Sequence, residues 1–324
     1  MANDGTDGGI DGTDGPGWWL QVDPQCDGWR LDRFLAERIG RLSRARAARL
    51  TVLDLDAPAR GPLKKSATLR KGQRLFARRP SPDAGISLPE PTILHADETL
   101  LVIDKPAGWA AHPTASRHEG TITSWLGRSG YEAHEPVHRL DVETSGVMAV
   151  ARTPAASRFL QSALSARAFE KIYLAIVVGE FPVEETRCDL PLGFDATSEV
   201  RLKMGRGDLS SSTLFRRLGY APTTGRSLVE ARPLTGRQHQ IRVHLALLGW
   251  PIVGDKLYGP DERLFLASLR GGLSPEDLER LGHPRHALHA WRLTLPRPDG
   301  DMLTCQAPFP AELSALLPAM PPVD

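Results

Sequence analysis

Near the N-terminus, the apolar residues follow a helical spacing. They recur at intervals of three to four residues, as Leu31, Phe34, Leu35, Ile39 and Leu42. This spacing places them on one stripe and predicts a helix that Gly40 can end. Ser43 is well placed to cap a second short helix, "RARAARL". The runs "TVLDLDAP" and "KGQRLFARRP" come next, broken by glycine and proline, and they predict short strands.

Longer apolar runs dominate the rest of the chain. Four of them predict buried strands: "TLLVIDKPAG", "GVMAVART", "KIYLAIVVGE" and "HALHAWRLTLP". Thr153 and Pro154 are typical of a helix start and predict a helix through "AASRFLQSALSA". The segment "SLVEARPLTGRQHQIRVHLALLG" predicts a strand, a turn and a helix that ends at Gly249. Because strands and helices mix without regular βαβ alternation, we expect an α+β fold around a mixed or antiparallel sheet.

Composition argues against several classes of protein. The 324 residues are 41% apolar and 24% charged, as in ordinary globular proteins. No apolar run approaches the roughly 20 residues that span a bilayer, and the first residues lack the basic start and apolar core of a secretory signal. The three cysteines lie far apart, with no CxxC pair: Cys26, Cys188 and Cys305. We therefore expect neither a disulfide framework nor a structural zinc site. This cysteine usage is typical of a cytoplasmic protein, which is what we expect.

Charge divides the chain more sharply than hydrophobicity does. Residues 1–17 are rich in Gly and Asp and predict a disordered tail. Residues 30–79 carry 15 Lys and Arg against 4 Asp and Glu, within a predicted basic module at 18–80. Residues 81–92, "SPDAGISLPEPT", predict a linker, and residues 93–324 form the body. The basic module predicts a surface for nucleic-acid phosphates, although a merely solvated basic face has the same composition.

The segment "VHRLDVETSGVMAVA" places a carboxylate beside an arginine just before a predicted strand. Asp141 follows Arg139 by two residues, and Thr144 and Ser145 come after it. An aspartate in such a turn often caps backbone amides. A carboxylate held in a cleft and poised by a nearby cation acts instead as a nucleophile or general base. The segment alone leaves both interpretations open.

A second segment, "GRQHQIRVH", brings further cations to the start of a predicted helix. Helical spacing places Arg237, Gln240 and His244 near one face. Arg242 lies towards a different side. These residues predict an anion-facing surface, or else the polar side of an amphipathic helix. Tyr173, in the strand "KIYLAIVVGE", is either a core residue or an aromatic ring that stacks on a nucleobase.

Taken in order, these segments resemble the RluA-like family of RNA pseudouridine synthases. The shared motifs are "DKPAGWAAHPT", "HRLDVETSG", the Lys-x-Tyr of "KIYLAIVVGE", "GRQHQIRVH" and "PIVGDKLYG". The resemblance covers roughly residues 93–293, and Gln238 departs from it where the family often has Thr. The stretch "RLDRFLAERIGRLSRARAARL" is similar to the start of an S4-type RNA-binding domain. This second resemblance implies a small α/β module at 18–80.

The resemblance implies a role for each matched residue. Asp141 corresponds to the family's catalytic aspartate, Arg242 to the arginine that pairs with it, and Tyr173 to the tyrosine that stacks on the target uracil. The resemblance also implies that Arg139 and Leu288 bind the substrate. From the anion-facing surface we expect Arg237, His239 and Gln240 to bind it as well. In the basic module, the residues expected to contact RNA are Arg33, Arg41, Arg44, Arg46 and Arg49. The implied reaction oxidises nothing and imports no group, so neither a cofactor nor a metal is expected.

Two other functions fit parts of the sequence. One is a non-catalytic RNA-binding protein on a degenerate synthase body, although such a copy would be expected to have lost a catalytic residue. The other is a metal-dependent hydrolase that uses His283, His286 and His289 of "HPRHALH". No acidic residue lies within that run, which makes hydrogen-bonded structural histidines the stronger interpretation.

The expected partner is structured RNA, and the expected state is a monomer. The S4-like module favours large-subunit ribosomal RNA over transfer RNA. Site choice depends on loop shape and on a few base contacts, because phosphate contacts position a protein without specifying sequence. The sequence leaves open which uridine is modified. It also leaves open whether Asp141 attacks as a nucleophile or helps to remove a sugar proton.

Overall fold

The computed structural model of the protein describes residues 17–39, 50–57, 63–78, 88–113, 120–131, 134–270, 272–318 and 320. These residues divide into two compact units, one within residues 17–78 and one that contains residues 88–112 and 120 onward. Most of the predicted tail and much of the predicted linker lie outside the described residues. The boundaries at 1–17, 18–80 and 81–92 therefore stay predictions.

The first unit contains a three-stranded antiparallel sheet. Its strands are β1 (Gly17–Gln21), β2 (Thr51–Asp54) and β3 (Arg74–Arg78), in the order β1-β3-β2. Helix α1 (Leu31–Arg38) carries Leu31, Phe34 and Leu35 of the predicted apolar stripe into a buried core, which Ile39 joins just after the helix, while Leu42 lies outside the described residues. The first predicted helix is thus confirmed, and it ends at Arg38, two residues before Gly40. The second predicted helix, residues 44–50, lies outside the described residues except for Leu50.

The second unit is built on a ten-stranded sheet. Its members are β4 (Thr92–Ala96), β5 (Leu100–Lys105), β6 (Glu135–Pro136), β7 (Ser145–Ala151), β8 (Glu170–Val178), β9 (Thr186–Cys188), β12 (Thr213–Ala221), β13 (Arg226–Pro233), β14 (Leu288–Pro296) and β15 (Met302–Gln306). A separate hairpin joins β10 (Leu192–Phe194) to β11 (Met204–Arg206). The helices described in this unit are α2 (Ile122–Arg128), α3 (Pro154–Ser165), α4 (Gln240–Leu247), α5 (Arg263–Arg270), α6 (Pro275–Leu281) and α7 (Ala311–Ser314).

The sheet is mixed. Its main path runs β4-β5-β7-β14-β8-β13-β12-β9, with β6 beside β7 and β15 beside β14. Pairs of neighbouring strands in this described sheet are antiparallel, apart from β7 and β14, which run parallel. The predicted α+β fold is therefore confirmed. None of the helices that the structure describes is long and apolar enough to cross a bilayer.

Two helix ends follow from local chemistry as predicted. The hydroxyl of Thr153 accepts a hydrogen bond from the backbone amide of Ala156 at 3.1 Å. Pro154 takes the first helical position, where a backbone N–H would have no partner within the helix. Gly249 follows α4 with φ of +94°, the left-handed conformation that ends many helices. Helix α3 thus begins, and helix α4 ends, where the sequence predicted.

Four strands line up across the region that carries the predicted chemistry. Gly146 of β7 faces Ala290 of β14, Ala290 faces Tyr173 of β8, and Tyr173 faces Ala231 of β13. Strands β7 and β14 begin, and β13 ends, within three residues of this line. The loop before β7, the segment before β14 and the turn before α4 therefore all leave the sheet at the same place.

Gly146 permits the close pairing of β7 with β14. Its φ is +113°, and a Cβ at this position would lie 2.0 Å from the carbonyl oxygen of Ala290. We expect Gly146→Ala to lower the free energy of unfolding by about 2–3 kcal/mol, because only a shift of β7 relieves the clash. Urea denaturation followed by circular dichroism measures this change.

Gly127→Ala in α2 is the matched control. Nothing lies within 4 Å of a Cβ built on Gly127, and alanine favours a helix over glycine. We expect this variant to be as stable as the wild type, or more stable by up to about 1 kcal/mol. Equal losses in the two variants would contradict the steric role of Gly146.

Candidate active site

A cleft of about 1180 Å³ opens where these loops leave the sheet. Its walls come from residues 136–141 before β7, from β8, and from the turn 234–239 before α4. The eight residues predicted as catalytic or substrate-binding all line it: Asp141, Tyr173, Arg242, Arg139, Arg237, His239, Gln240 and Leu288. The fold therefore brings them together, although it does not leave them equally free to bind a substrate.

Asp141 and Arg242 form an ion pair in this cleft. Nη1 of Arg242 donates to Oδ2 of Asp141 at 2.8 Å. The Arg242 side chain is 8% exposed, and that of Asp141 is 21% exposed. Within the described residues, Oδ1 of Asp141 accepts no hydrogen bond, and Nε2 of His239 lies 3.8 Å from it. One carboxylate oxygen is thus held by the protein, and the other is open to the cleft.

The ion pair keeps Asp141 charged. Burial alone would raise the pKa of Asp141, because an ionised carboxylate is costly away from water. Burial is the largest single cause, but the charge and hydrogen bond of Arg242 together with His239 and His286 outweigh it, and the pKa of Asp141 falls below its ordinary value. Asp141 is therefore ionised at neutral pH, as a general base or nucleophile must be.

Asp255 was not predicted to take part in the site. Its side chain is fully buried and accepts from Nε and Nη2 of Arg242 at 2.7 and 2.9 Å. Its Oδ1 also accepts from the backbone amides of Leu257 and Tyr258, both at 3.0 Å. Burial would raise the pKa of Asp255, but Arg242, together with His286 and the amide of Tyr258, outweighs it and the pKa is lowered. Asp255 thus fixes the guanidinium plane that aims Nη1 at Asp141. Its place in "PIVGDKLYG" was the available signal.

Two histidines fasten the loop that carries Asp141. Oγ1 of Thr144 lies 2.8 Å from Nε2 of His286. Oγ of Ser145 lies 2.9 Å from Nδ1 of His289. Burial lowers the pKa of both histidines to about 4, so both rings are neutral at neutral pH. They act as hydrogen-bonding partners of the loop between Asp141 and β7.

The same contacts bear on the metal-site interpretation of "HPRHALH". His283 also bonds within the protein, since its Nδ1 lies 2.8 Å from the carbonyl oxygen of Arg285. The part of the chain that the structure describes contains no group of three or more His, Cys, Asp or Glu arranged to hold a metal ion. The geometry therefore matches the structural interpretation of these histidines.

Tyr173 combines the two interpretations that its sequence left open. Its half-buried ring packs against both the buried cluster that contains Leu288 and the one that contains Leu140. Its hydroxyl makes no hydrogen bond within the described residues. Burial, and after it the charge of Asp141, raises the pKa of Tyr173, so the phenol keeps its proton at neutral pH. A flat ring that lines a cleft beside a carboxylate can stack on an extruded base.

Comparison with known proteins identifies the family to which this chain belongs. The family model described as RNA pseudouridylate synthase matches residues 99–247. A protein of Xanthomonas campestris pv. campestris, named ribosomal large subunit pseudouridine synthase D, is 37% identical over 312 residues, which cover 92% of this chain and 91% of that protein. The chain belongs to the RNA pseudouridine synthase family.

Two further similarities accompany this assignment. A solved structure titled Human RNA Pseudouridylate Synthase Domain Containing 1 matches the synthase with a TM-score of 0.58 and 26% identity, covering 74% of this chain and 98% of that one. The mitochondrial tRNA pseudouridine(32) synthase of Saccharomyces cerevisiae is 40% identical over 177 residues, 52% of this chain and 37% of that protein. The predicted RluA-like family and the enzyme class, an isomerase acting on RNA, are confirmed. The hydrolase alternative is wrong.

In the synthase, only part of the predicted anion-facing surface faces the cleft. Gln240 and His244 share a helix face, as their spacing predicted, but this face packs against β12. The His244 ring is fully buried, 3.1 Å from Oγ of Ser211 and 2.9 Å from Oγ1 of Thr213. Arg242 points the other way, towards Asp141. The polar face is therefore internal, and Arg242 alone carries α4's charge into the site.

The side chain of Gln240 makes all of its hydrogen bonds to other residues of the synthase. Its Oε1 accepts from the hydroxyl of Thr235 at 2.7 Å and from the backbone amide of Arg237 at 3.0 Å. Its Nε2 donates to the carbonyl oxygen of Ser212 and to Oγ1 of Thr213, both at 2.9 Å. A side-chain amide has four such places, so none remains for a substrate. We therefore assign Gln240 to holding the turn before α4 rather than to binding the nucleotide.

Four basic side chains of the cleft have no carboxylate partner among the described residues, and one of them is the exposed Arg167. Arg139 and Arg237 are exposed, and Nε of Arg237 donates to the carbonyl oxygen of Ser210 at 3.1 Å. Lys171, two residues before Tyr173 on β8, was not predicted from the sequence. Burial lowers the pKa of Lys171 to about 8, so the ammonium stays mostly protonated at neutral pH. The cleft thus offers positive charge that no carboxylate of the described residues neutralises, around the carboxylate of Asp141.

Of the arginines expected to contact RNA, Arg33 is described. It is exposed on α1, and its guanidinium carbon lies 3.9 Å from the centre of the Trp29 ring. The others lie outside the described residues: Arg41, Arg44, Arg46 and Arg49. Their role therefore stays a prediction.

Proposed function

We propose that this synthase isomerises uridines in structured RNA, with large-subunit ribosomal RNA as the favoured substrate and transfer RNA as the second candidate. The observation that carries the proposal is the ionised carboxylate of Asp141, with one oxygen held by Arg242 and the other open to the cleft beside Tyr173. The name of the Xanthomonas relative, which aligns over 92% of the chain, supports ribosomal RNA. The yeast relative, named for transfer RNA, aligns over 52% of it.

The reaction conserves every atom of the nucleotide. The C1′–N1 bond breaks, the uracil turns, and a bond forms between C1′ and C5. The hydrogen on C5 leaves as a proton, and N1 gains one. Duplex RNA hides these atoms, so the uridine must first be extruded into the cleft.

Each residue of the cleft has a distinct role in this proposed reaction. Oδ1 of Asp141 acts on the extruded nucleotide, and Arg242 keeps it charged while water is excluded. Tyr173 stacks on the uracil, and Leu288, which is buried at the first position of β14, limits where the ring lies. Arg139 and Arg237 hold phosphates of the strand, since both guanidinium groups lack a carboxylate partner among the described residues. Catalysis then rests on positioning and charge.

The first experiment measures tritium release from C5 of uridine-labelled ribosomal and transfer RNA. We expect release from large-subunit ribosomal RNA. Release from transfer RNA alone would move the substrate assignment to that class. If neither RNA released tritium although both bound tightly and in a salt-dependent way, the proposed activity on free RNA would be overturned.

We also propose that residues 18–80 form an S4-like module that anchors the RNA, and that the synthase works as a cytoplasmic monomer. Fifteen Lys and Arg against four Asp and Glu in residues 30–79 support the first of these proposals. The exposed Arg33 of α1 lies within this segment. Binding through phosphates releases counterions, so affinity should fall steeply with salt.

Neutralising four arginines of this module tests the anchoring role. We expect replacement of Arg41, Arg44, Arg46 and Arg49 by glutamine to reduce the slope of log affinity against log salt by about 3, at roughly 0.7 per lost phosphate contact with single strands. Filter binding over a salt series measures the slope. The control replaces four exposed arginines of the body that do not line the cleft: Arg187, Arg201, Arg216 and Arg263. Equal slopes in the two variants would rule out a special role for the module.

A further inference from the structure

Tyr258 and His239 form a hydrogen-bonded pair beside the catalytic carboxylate. Oη of Tyr258 lies 2.8 Å from Nδ1 of His239, and the two rings meet edge to face with their centres 5.6 Å apart. On the other side of the imidazole, Nε2 lies 3.8 Å from Oδ1 of Asp141. The imidazole thus connects a buried phenol to the one carboxylate oxygen that Arg242 does not hold.

The hydrogen bonds of Tyr258 decide which nitrogen of His239 carries a proton. Oη accepts from the backbone amide of Met204 at 2.9 Å. The phenol proton of this buried residue needs an acceptor of its own. Among the described residues, the acceptor within reach of Oη is Nδ1 of His239. Nδ1 therefore accepts, and the imidazole carries its single proton on Nε2, the nitrogen that faces Asp141.

Both groups are neutral at neutral pH. Burial lowers the pKa of His239 to about 4, although the nearby carboxylates of Asp141 and Asp255 oppose this shift. Burial also raises the pKa of Tyr258. The pair is therefore a neutral phenol and a neutral imidazole, and its effect comes from the direction of its hydrogen bonds.

The backbone of His239 is held in an unfavourable conformation. Its φ is +56°, in the left-handed region that few residues other than glycine adopt. Asparagine or glycine would fit this backbone at lower cost. Strain of this kind persists where the surrounding structure requires it, often at an active site. The backbone conformation by itself therefore does not require a histidine at this position.

We infer that Tyr258 is a positioning residue that holds His239 in the Nε2-protonated form, and that this N–H donates to Oδ1 of Asp141 when uridine fills the cleft. Hydrogen bonds of catalytic groups are often long in the free enzyme and tighten on the substrate. A donor to Oδ1 orients the reacting oxygen once water has been displaced. This inference rests on the proposed role of Asp141.

The tautomer is tested on the protein alone. In synthase labelled with ¹⁵N-histidine, two-bond ¹H–¹⁵N correlation spectra distinguish a protonated ring nitrogen from a bare one. The signals of His239 are assigned by their absence in His239→Gln. We expect Nε2 to be protonated in the wild type and a mixture of tautomers in Tyr258→Phe, where the phenol donor is gone. A proton on Nδ1 in the wild type would overturn the inference.

Paired substitutions at His239 test the donor. Glutamine places its amide nitrogen near the position of Nε2, whereas asparagine reaches only the position of Nδ1 but fits the left-handed backbone better. We expect His239→Asn to lower kcat about tenfold to a hundredfold, the value of a hydrogen bond to a charged group, with little change in KM. His239→Gln should retain most of the activity. The opposite ranking would show that the backbone conformation matters and the donor does not.

A double-mutant cycle separates positioning from packing. Tyr258→Phe should lower kcat in the wild-type background and have little effect in the His239→Gln background, because a glutamine has no tautomer to select. Equal losses in the two backgrounds would assign Tyr258 a packing role only. The assay is tritium release from uridine-labelled large-subunit ribosomal RNA. If the wild type releases none, the proposed function fails, while the spectra still decide the tautomer.

Discussion

Replacing Asp141 by asparagine is expected to abolish turnover while RNA binding survives. The amide has nearly the shape of the carboxylate but carries no charge, so it can act neither as a nucleophile nor as a base. We expect the rate of tritium release to fall by roughly 10⁴-fold or more, as when a central catalytic group is removed from an enzyme. RNA affinity should be unchanged or tighter, because the substitution removes a negative charge from a cleft that binds phosphates.

Asp189→Asn is the matched control for this experiment. Asp189 is an exposed carboxylate in an ion pair of its own, 2.7 Å from Nε of Arg187, and it does not line the cleft. We expect its loss to leave both turnover and RNA binding as they are. Retained turnover in Asp141→Asn would remove Asp141 from its proposed role. Loss of RNA binding in that variant would show a defect of folding or docking instead.

Replacing Arg242 by methionine is expected to cost stability as well as turnover. Arg242 is hydrogen-bonded to Asp255, which is fully buried, and to Asp141. Without the guanidinium, two carboxylates close to one another are left with no compensating cation. We expect the free energy of unfolding at neutral pH to fall by about 3–5 kcal/mol, the usual cost of breaking a buried ion pair from one side. Turnover should fall as well, because Asp141 loses the neighbouring positive charge that keeps its carboxylate ionised.

The pH dependence of this loss has a definite sign. In the wild type, the pKa of Asp255 is lowered, so its contribution to stability is present above the unfolded-state pKa of about 3.9 and is lost as the pH falls through the folded-state value. In Arg242→Met, burial without a cation raises that pKa, and protonation relieves the buried charge. The stability gap between the two proteins should therefore narrow as the pH falls.

Urea denaturation at several pH values measures this gap, with Arg216→Met as the control. Arg216 pairs with Glu230 at 3.0 Å but is half exposed, so its removal should cost at most about 1 kcal/mol. A gap for Arg242→Met that does not change with pH would contradict the electrostatic explanation.

Much of the fold was predictable because its elements carry local signals. The strands β7 and β8 were read from apolar runs, and the start of α3 from Thr153 and Pro154. Strand β12 was not predicted, because two adjacent arginines, Arg216 and Arg217, interrupt its apolar residues and leave no apolar run. Its place in the sheet depends on pairing with β13. Hydrogen bonds between strands distant in sequence leave no mark on either strand alone.

The site was predictable in part. Asp141, Tyr173 and Arg242 could be named because each lies in a motif, and the structure places all three in one cleft. Asp255, Lys171 and Tyr258 were missed, because their motifs show residue types without showing which atoms meet. Gln240 illustrates the converse, since its residue type suggests substrate binding while its partners are all internal.

Local chemistry along the chain was therefore enough to identify many strands and helices of the core and the charged module, whereas Asp141 was named through the resemblance of its motif to those of a known family. Periodicity, capping and charge are properties of neighbouring residues, and they survive without a fold. The pairing of Arg242 with two carboxylates, the neutral state of His239 and the open oxygen of Asp141 were decided only by the tertiary structure. Each depends on burial and on contacts between separate segments, since Arg242 lies 13 residues from Asp255 and 101 residues from Asp141, and only the packed fold brings all three within hydrogen-bonding range.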